Sequence, residues 1–206
     1  MKIKIYIIFV ICIVSNSLFT NAQCIKINNG IVISSINHDK MPVLNNNETS
    51  YAGSIGIDYL NHKYFFLSSE AGYSATGGHD YILTLDVNGD RHAKTKLKAH
   101  NLFINTTFNG KLPIFKNSFF LFADTGIQVD YMLKKDFYVD GIKISETPYD
   151  IDISRLYICI PFKAGVYYDF NRIRIGTYYS YLLNVNKRNN MTKRQQIITF
   201  SIGYLL

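Results

Sequence analysis

The sequence has little charge and few of the residues that cross-link or interrupt a fold. Only 18% of its 206 residues are charged, against roughly 25% in ordinary soluble domains. It contains three cysteines, four prolines and no tryptophan. After the first residues, no apolar run approaches the roughly 18 residues of a membrane-spanning helix. These absences exclude a disulfide framework and a helical membrane protein.

Aromatic and β-branched residues are abundant instead. The chain has 16 tyrosines and 14 phenylalanines, and 48% of its residues are hydrophobic. Disordered chains are poor in such residues, so this chain is expected to fold. Because these residue types suit a pleated, half-buried surface, the composition favours β-sheet over a helical bundle.

The N-terminus has the pattern of a secretory signal peptide. Two lysines, Lys2 and Lys4, precede the apolar segment 5–14. Small residues then follow at Thr20-Asn21-Ala22, where a signal peptidase would cleave. We therefore expect a signal peptide over residues 1–22 and an exported mature domain over residues 23–206.

Two alternatives and one consequence follow from that leader. A lipoprotein signal with a lipidated Cys24 is the alternative, although the residues before Cys24 make a poor lipobox. Loss of two leader lysines lowers the formal net charge from +7 to +5. The remaining basic residues are interspersed with acidic ones, so we expect no nucleic-acid partner. Cys24 and Cys159 fall on the first and sixth predicted strands, which are not neighbours, and are expected to be free thiols.

Alternation with a period of two runs through the mature chain in segments of about ten residues. It is clearest over residues 119–131, where one face is apolar and the other carries Asp124, Gln128 and Asp130. Eight segments show it, an even number: 25–35, 51–60, 64–76, 98–108, 119–131, 156–168, 172–183 and 195–206. We predict an all-β fold, an eight-stranded antiparallel up-and-down transmembrane β-barrel.

The connections between these segments alternate in length. Short turns are predicted at Asn61-His62, around 169–171, and within 109–118, where either Asn109-Gly110 or Lys116-Asn117 forms the tip. The four longer connections are residues 36–50, 77–97, 132–155 and 184–194. Short turns at one rim and long loops at the other are typical of outer-membrane barrels, whereas a lipocalin-like soluble barrel would turn its apolar face inward.

Two of the long connections carry hairpin signals. Asn88-Gly89 predicts a type I′ turn that places Asp86 opposite Arg91. Asp140-Gly141 predicts a second, pairing Val139 with Ile142 and Tyr138 with Lys143. We expect both to extend barrel strands outward.

The polar phase is expected to fill the lumen, because backbone groups in lipid are satisfied by a closed barrel whose apolar face points outward. Its charged and amide residues are Lys26, Asp58, Glu70, Asp124, Gln128, Asp130, Lys163 and Arg174. We expect Glu70 and Asp124 to pair with Lys163 and Arg174, since isolated buried charges are costly. Inward glycines make room for these chains: Gly30, Gly56, Gly72, Gly126, Gly165, Gly176 and Gly203. Five aromatic residues share that face: Phe66, Phe122, Tyr157, Tyr167 and Tyr178. The lumen should therefore be a closed plug.

Tyrosines near the strand ends are candidates for interfacial girdles. They are Tyr51, Tyr59, Tyr131, Tyr168 and Tyr204.

Several stretches resemble one protein family. Glu70-Ala71-Gly72-Tyr73, Ala123-Asp124-Thr125-Gly126 and Ile158-Cys159-Ile160-Pro161-Phe162 followed by Gly165 are similar to the PorT-like outer-membrane β-barrel family of Bacteroidota. The leader ending in Asn21-Ala22-Gln23 resembles leaders of that phylum, and segment 200–206 resembles a terminal strand read by the barrel-insertion machinery. Leu206 stands where an aromatic residue is commoner. The resemblance covers nearly all of the mature chain and implies a barrel without catalytic residues.

Candidate chemistry is sparse. The five histidines are His38, His62, His79, His92 and His100, and none has zinc-ligand spacing. A lipid-modifying esterase would need a lipid-facing Ser–His pair, for which His100 with Ser74 or Ser180 is the candidate. Four basic residues in the last long connection could meet lipopolysaccharide phosphates or simply be solvated: Lys187, Arg188, Lys193 and Arg194.

We therefore predict a non-enzymatic integral protein of the bacterial outer membrane, a monomer that presents extracellular hairpins in a structural or binding role. No catalytic, cofactor or metal site is expected. Its expected partners are outer-membrane lipid, lipopolysaccharide and, during assembly, the insertion machinery. The alternatives are a PorT-like accessory of a protein-secretion machine and a lipid-modifying outer-membrane enzyme.

Overall fold

The computed structural model describes residues 22–38, 44–86, 89–115, 118–144, 155–185 and 191–206. They form nine strands: β1 (Ala22–His38), β2 (Leu44–Tyr59), β3 (Phe65–Asp86), β4 (Gly89–Phe115), β5 (Phe119–Val139), β6 (Ile142–Ile144), β7 (Leu156–Phe170), β8 (Ile173–Asn184) and β9 (Met191–Leu205). Within these ranges no helix is long and apolar enough to cross a membrane.

Eight of the strands close into an antiparallel barrel. Each pairs with its neighbours along the chain, β9 pairs with β1, and the short β6 only continues β5 as a hairpin. The predicted fold class is therefore confirmed.

The strands are strongly staggered around the barrel. Starting at Asp169 on β7, the paired positions pass through β8, β9 and β1 to β5 and return to β7 at Cys159, ten residues away. This stagger is the shear that a tilted, closed sheet requires. It decides which side chains meet in the lumen.

The two faces of the wall follow the predicted phases. Outward positions carry apolar side chains left open to the surroundings, such as Ile27, Ile55, Ile104 and Ile202, each 63–65% exposed. Every predicted inward charged or amide residue is buried. A wall that exposes apolar residues on all sides is suited to lipid, where each backbone group is satisfied by the closed ladder.

Aromatic residues cluster where the wall ends, as predicted, with one exception. Tyr51 and Tyr131 are exposed towards the long connections, and Tyr168 and Tyr204 towards the short turns. Tyr59 is not part of a girdle, because it is only 7% exposed. Its hydroxyl is hydrogen-bonded to Ser69 Oγ at 3.1 Å, so the ring lies against the wall.

The rim of short turns, called the short-turn end below, follows the prediction. Leu60–Tyr64 joins β2 to β3, and Asn171-Arg172 joins β7 to β8. Phe115 pairs with Phe119, so the tip between β4 and β5 is Lys116-Asn117 and not Asn109-Gly110. Asn109 instead lies buried in the lumen, donating to Thr107.

At the opposite rim, called the hairpin end, the strands run much further than predicted. Most of the predicted connection 77–97 belongs to β3 and β4, and β5 continues through the predicted loop to Val139. The alternation weakens there because the outer face carries polar residues, yet the hydrogen-bonded ladder continues. The described part of the last connection is correspondingly short, since β9 begins at Met191.

The two hairpin predictions had different outcomes. Val139 pairs with Ile142 and Tyr138 with Lys143, as predicted, and Asp140 and Gly141 both have positive φ. The placement of Asp86 opposite Arg91 was wrong: Asp86 pairs with Gly89, and Arg91 with Thr84. The unbroken β3–β4 ladder sets this register from the short-turn end, so the tip moves to residues 87–88.

Some predictions lie outside the described residues. These are the signal peptide up to residue 21, and Lys187 and Arg188 of the basic connection. Arg194 is exposed on β9. Cys24 and Cys159 are buried free thiols, as expected.

Candidate functional site

The lumen charges lie in one row of paired positions that alternates with glycine. Arg174 pairs with Gly203, Gly203 with Lys26, Lys26 with Gly56, and Gly56 with Glu70. A Cβ at Gly56 would lie 2.8 Å from Glu70 Cγ and 2.9 Å from Lys26 Cε. The missing side chain is what allows Lys26 and Glu70 to meet.

Lys26 bridges two carboxylates. Its Nζ lies 3.0 Å from Asp58 Oδ1 and 2.9 Å from Glu70 Oε1, and it donates to Ser68 Oγ at 2.8 Å. All three acceptors are almost fully buried. Ionised groups removed from water need such multiple contacts, because a single missing partner leaves a costly buried charge.

Glu70 also reaches across the lumen to Lys163, at 3.1 Å between Oε2 and Nζ. This pair was predicted. Lys163 is weakly paired with Asp124, at 4.0 Å, although the two residues are register partners on β7 and β5. Asn105 donates to Glu70 at 3.3 Å and completes the contacts of this carboxylate.

The predicted pairing of Arg174 with Glu70 or Asp124 was wrong. Arg174 instead makes two hydrogen bonds to Asp169, at 2.7 and 3.0 Å, and a third to Asp58 at 3.0 Å. Its guanidinium lies 4.1 Å from the ring centroid of Tyr167. Arg174 starts β8 at the short-turn end, so the turn residue Asp169 is its register partner and Glu70 is out of its reach.

The network is sealed by other side chains at both ends. Towards the short-turn end lies an aromatic cluster of Phe66, Phe120 and Tyr167, packed with Phe122. Towards the hairpin end lies an apolar cap whose members share the inward phase: Val32, Ala52, Leu97, Ala99, Met132, Phe137, Tyr157, Cys159, Leu182 and Ile197. The sequence analysis missed most of this cap, although continuing the inward phase beyond the predicted strands would have revealed it.

The lumen is therefore filled. Two spaces within it, one beside Asn28 and one beside Lys26, measure about 30 Å³ each, the room of about one water molecule. The inward aromatic residues predicted for the plug are present, and Gly56 and Gly203 make room for charged side chains as expected. Gly126 has a different role, because a Cβ there would lie 2.0 Å from the backbone oxygen of Thr106.

A second polar cluster lies on the outer wall at the hairpin end. His100 Nδ1 is hydrogen-bonded to the Tyr73 hydroxyl, and His100 Nε2 lies 3.3 Å from Asp136 Oδ2. Lys134 and Lys143 contact the same carboxylate at 3.4 and 2.8 Å. The hydrogen bond from Lys143 lowers the pKa of Asp136. Burial, followed by the charge of Lys134, lowers the pKa of His100, so the imidazole is neutral at pH 7.

This geometry does not form the Ser–His pair of a lipid-modifying esterase. Ser74 and Ser180 are buried inward, whereas His100 faces outward. A bulge between His100 and Asn101 in the β4–β5 pairing brings Asp136 beside the imidazole, which the sequence did not indicate. Among the described residues, no cluster of ligating side chains could hold a metal ion.

The hairpins are tied to one another by further contacts. Glu48 of β2 pairs with Lys96 of β4 and lies 3.4 Å from His79 of β3. The Asp140 turn is joined to Lys94 by two hydrogen bonds, at 2.8 and 2.9 Å. The described hairpins are thus fixed to the barrel.

No protein-family model matches the chain, and neither does a curated protein sequence. Among solved structures it is similar to the N-terminal β-barrel domain of OprF from Pseudomonas aeruginosa, with a TM-score of 0.51 and 8% identity, covering 90% of this chain and 99% of that one. It is also similar to Ail, the attachment invasion locus protein of Yersinia pestis, in complex with the heparin analogue sucrose octasulfate, with a TM-score of 0.43, 11% identity, and coverage of 89% and 99%.

These findings define the class of protein. The chain is a closed eight-stranded antiparallel barrel of the outer-membrane type. At so low an identity, the likeness to OprF is one of fold.

Proposed function

We propose that the chain is an integral outer-membrane protein whose plugged barrel anchors extracellular hairpins for a structural or binding role. The observation that carries this proposal is the combination of an apolar outer wall with a filled lumen. The wall belongs in lipid, and the lumen leaves no open path for solutes among the described residues. The parts left to interact with other molecules are the hairpins.

The orientation of the barrel follows from its connections. In outer-membrane barrels the short turns lie on the periplasmic side and the longer connections outside the cell. The β3–β4 hairpin is the longest extension, since its pairing continues from Phe65 with Gly110 to Asp86 with Gly89. Its fixed geometry suits a surface for recognition.

An epitope-insertion experiment tests this arrangement. An epitope placed between Asp86 and Gly89 should be labelled by antibody on intact cells, whereas one placed between Phe115 and Ser118 should be labelled only after permeabilisation. Heat-dependent migration on gels would confirm that both insertions leave a folded barrel. Labelling of the second epitope on intact cells, or of neither epitope in the outer-membrane fraction, would contradict the proposal.

A role as a PorT-like accessory of a secretion machine is a second candidate. It is favoured by the resemblance at residues 70–73, 123–126 and 158–162, two of which contribute Glu70 and Asp124 to the lumen network. Affinity purification of the tagged protein from its native membrane tests it. Recovery of secretion components supports that role, and recovery of the barrel with lipid alone supports the free-standing one.

A further inference from the structure

The outer wall over β1 to β4 is not uniformly convex but carries a groove of about 680 Å³. This volume lies within the ~300–1,000 Å³ of small-ligand sites. Its sides are apolar and aromatic: Ile27, Tyr51, Ile55, Tyr73, Leu102 and Ile104. Its floor is low because Gly53 and Ala71 present almost no side chain to the outside.

The groove ends at the outward polar cluster. Tyr73 belongs to both, since its ring lines the groove and its hydroxyl bonds His100. Beyond His100 stand Lys134 and Lys143, both more than half exposed, and Lys98, the register partner of Asp136. Three lysines face a single carboxylate here, and the neutral His100 adds no charge. The end of the groove is therefore positively charged.

We propose that this groove and its lysines bind one phosphorylated lipid of the outer leaflet, with an acyl chain in the groove and the phosphate on Lys98, Lys134 and Lys143. Charge complementarity selects this occupant, because an apolar channel that opens under a cluster of ammonium groups matches a chain joined to an anionic head group. The inference rests on the proposed function, since an inserted barrel presents this wall to lipid.

Position-specific quenching tests the site, and the natural absence of tryptophan makes it straightforward. Tyr51→Trp places a reporter on the groove. Tyr179→Trp is a matched control, because Tyr179 is outward and lies in the same row of paired positions, through Ile198 and Ile31. Each variant is refolded into phosphatidylcholine vesicles that contain either brominated phosphatidic acid or brominated phosphatidylcholine at equal mole fraction.

Brominated phosphatidic acid should quench the tryptophan at position 51 more than brominated phosphatidylcholine does, and both lipids should quench the one at position 179 equally. In the Tyr51→Trp background, Lys134→Gln and Lys143→Gln should each reduce the preference about fivefold. Lys63→Gln, in a short turn at the opposite rim, should leave the preference unchanged. Ala71→Leu, which fills the floor, should also reduce it.

Equal quenching by both lipids at position 51 would overturn the lipid site, as would a preference that the lysine variants do not change. An equal preference at positions 51 and 179 would show general attraction to the basic protein and would also overturn it. Absence of quenching by brominated phosphatidylcholine at both positions would instead mean that the wall is not in the bilayer, and the proposed function itself would fail.

Discussion

The two faces of β5 differ more from each other than either differs from the same face of its neighbours. Inward it presents Asp124, Gln128 and Asp130, all buried, and outward it presents Leu121 and Ile127, both exposed. A soluble barrel would have the reverse arrangement. Because the outer surroundings offer no hydrogen bonds, the polar groups find their partners across the lumen, and this requirement closes the lumen.

The inward face is itself uneven, and Glu70→Gln should expose that with the largest effect expected here. Glu70 holds both Lys26 and Lys163, so its neutralisation leaves two buried cations poorly compensated and should cost about 3–5 kcal/mol of folding free energy. Urea titration of the protein in lipid vesicles measures it.

Asp124→Asn is the matched variant for this comparison. Asp124 contacts Lys163 at 4.0 Å, so its neutralisation should cost much less. Equal costs for the two variants would mean that the network does not depend on Glu70 as its centre.

The apolar cap allows the faces to be compared with one residue type. Leu97 is fully buried in the cap, and Leu112, on the same strand, faces outward at 63% exposure. Leu97→Ala should cost about 2–5 kcal/mol because it leaves a cavity. Leu112→Ala should cost far less, since lipid fills the space. The same titration checks both, and a similar loss at the two positions would argue against a packed cap.

A charge placed on each face of β5 is expected to have a somewhat smaller effect. Leu121→Arg puts a guanidinium in lipid and should cost about 2–4 kcal/mol. Gln128→Arg faces the lumen and should not carry that lipid penalty, although crowding adds a cost of its own. Vesicle-folding titrations compare them. A larger loss for Gln128→Arg that persists in lipid-free detergent micelles and in vesicles alike would favour the inverted, soluble barrel.

The smallest expected effect concerns a polar contact on the outer wall. Tyr59 is hydrogen-bonded to Ser69, which is in turn bonded to Thr106 at 3.0 Å. Tyr59→Phe removes the first of these bonds and should cost about 0.5–1.5 kcal/mol. Tyr168→Phe, at an exposed girdle position, is the control. If Tyr59→Phe stabilised the protein, the contact would be incidental to the fold.

Much of the fold could be predicted from the sequence because the alternation has a period of two on every strand. That period assigns each residue to a face, and it placed Lys26, Glu70 and Lys163 inward correctly. It carries no information on how far each strand is shifted along its neighbour. The partner of Arg174 depends on that stagger, which brings Asp169 and Asp58 to it.

The outer cluster was beyond sequence reasoning for a related reason. Asp136 reaches His100 because the β4–β5 pairing shifts by one residue beside His100. A bulge of this kind leaves little trace in a pattern of apolar and polar residues. The hairpin turn at Asp140-Gly141 was predictable, since its residue types favour the positive φ values observed.

The claim that the polar inner face closes the lumen is tested most directly by planar-bilayer recording of the refolded wild-type protein. Folding is first verified by heat-dependent migration, so that a silent bilayer reports a folded barrel. We predict no stable conductance at neutral pH, because the Lys26–Glu70–Lys163 contacts cross the lumen and Leu97 and its neighbours cap it. A reproducible open conductance of uniform size would contradict the account and make the protein a small pore.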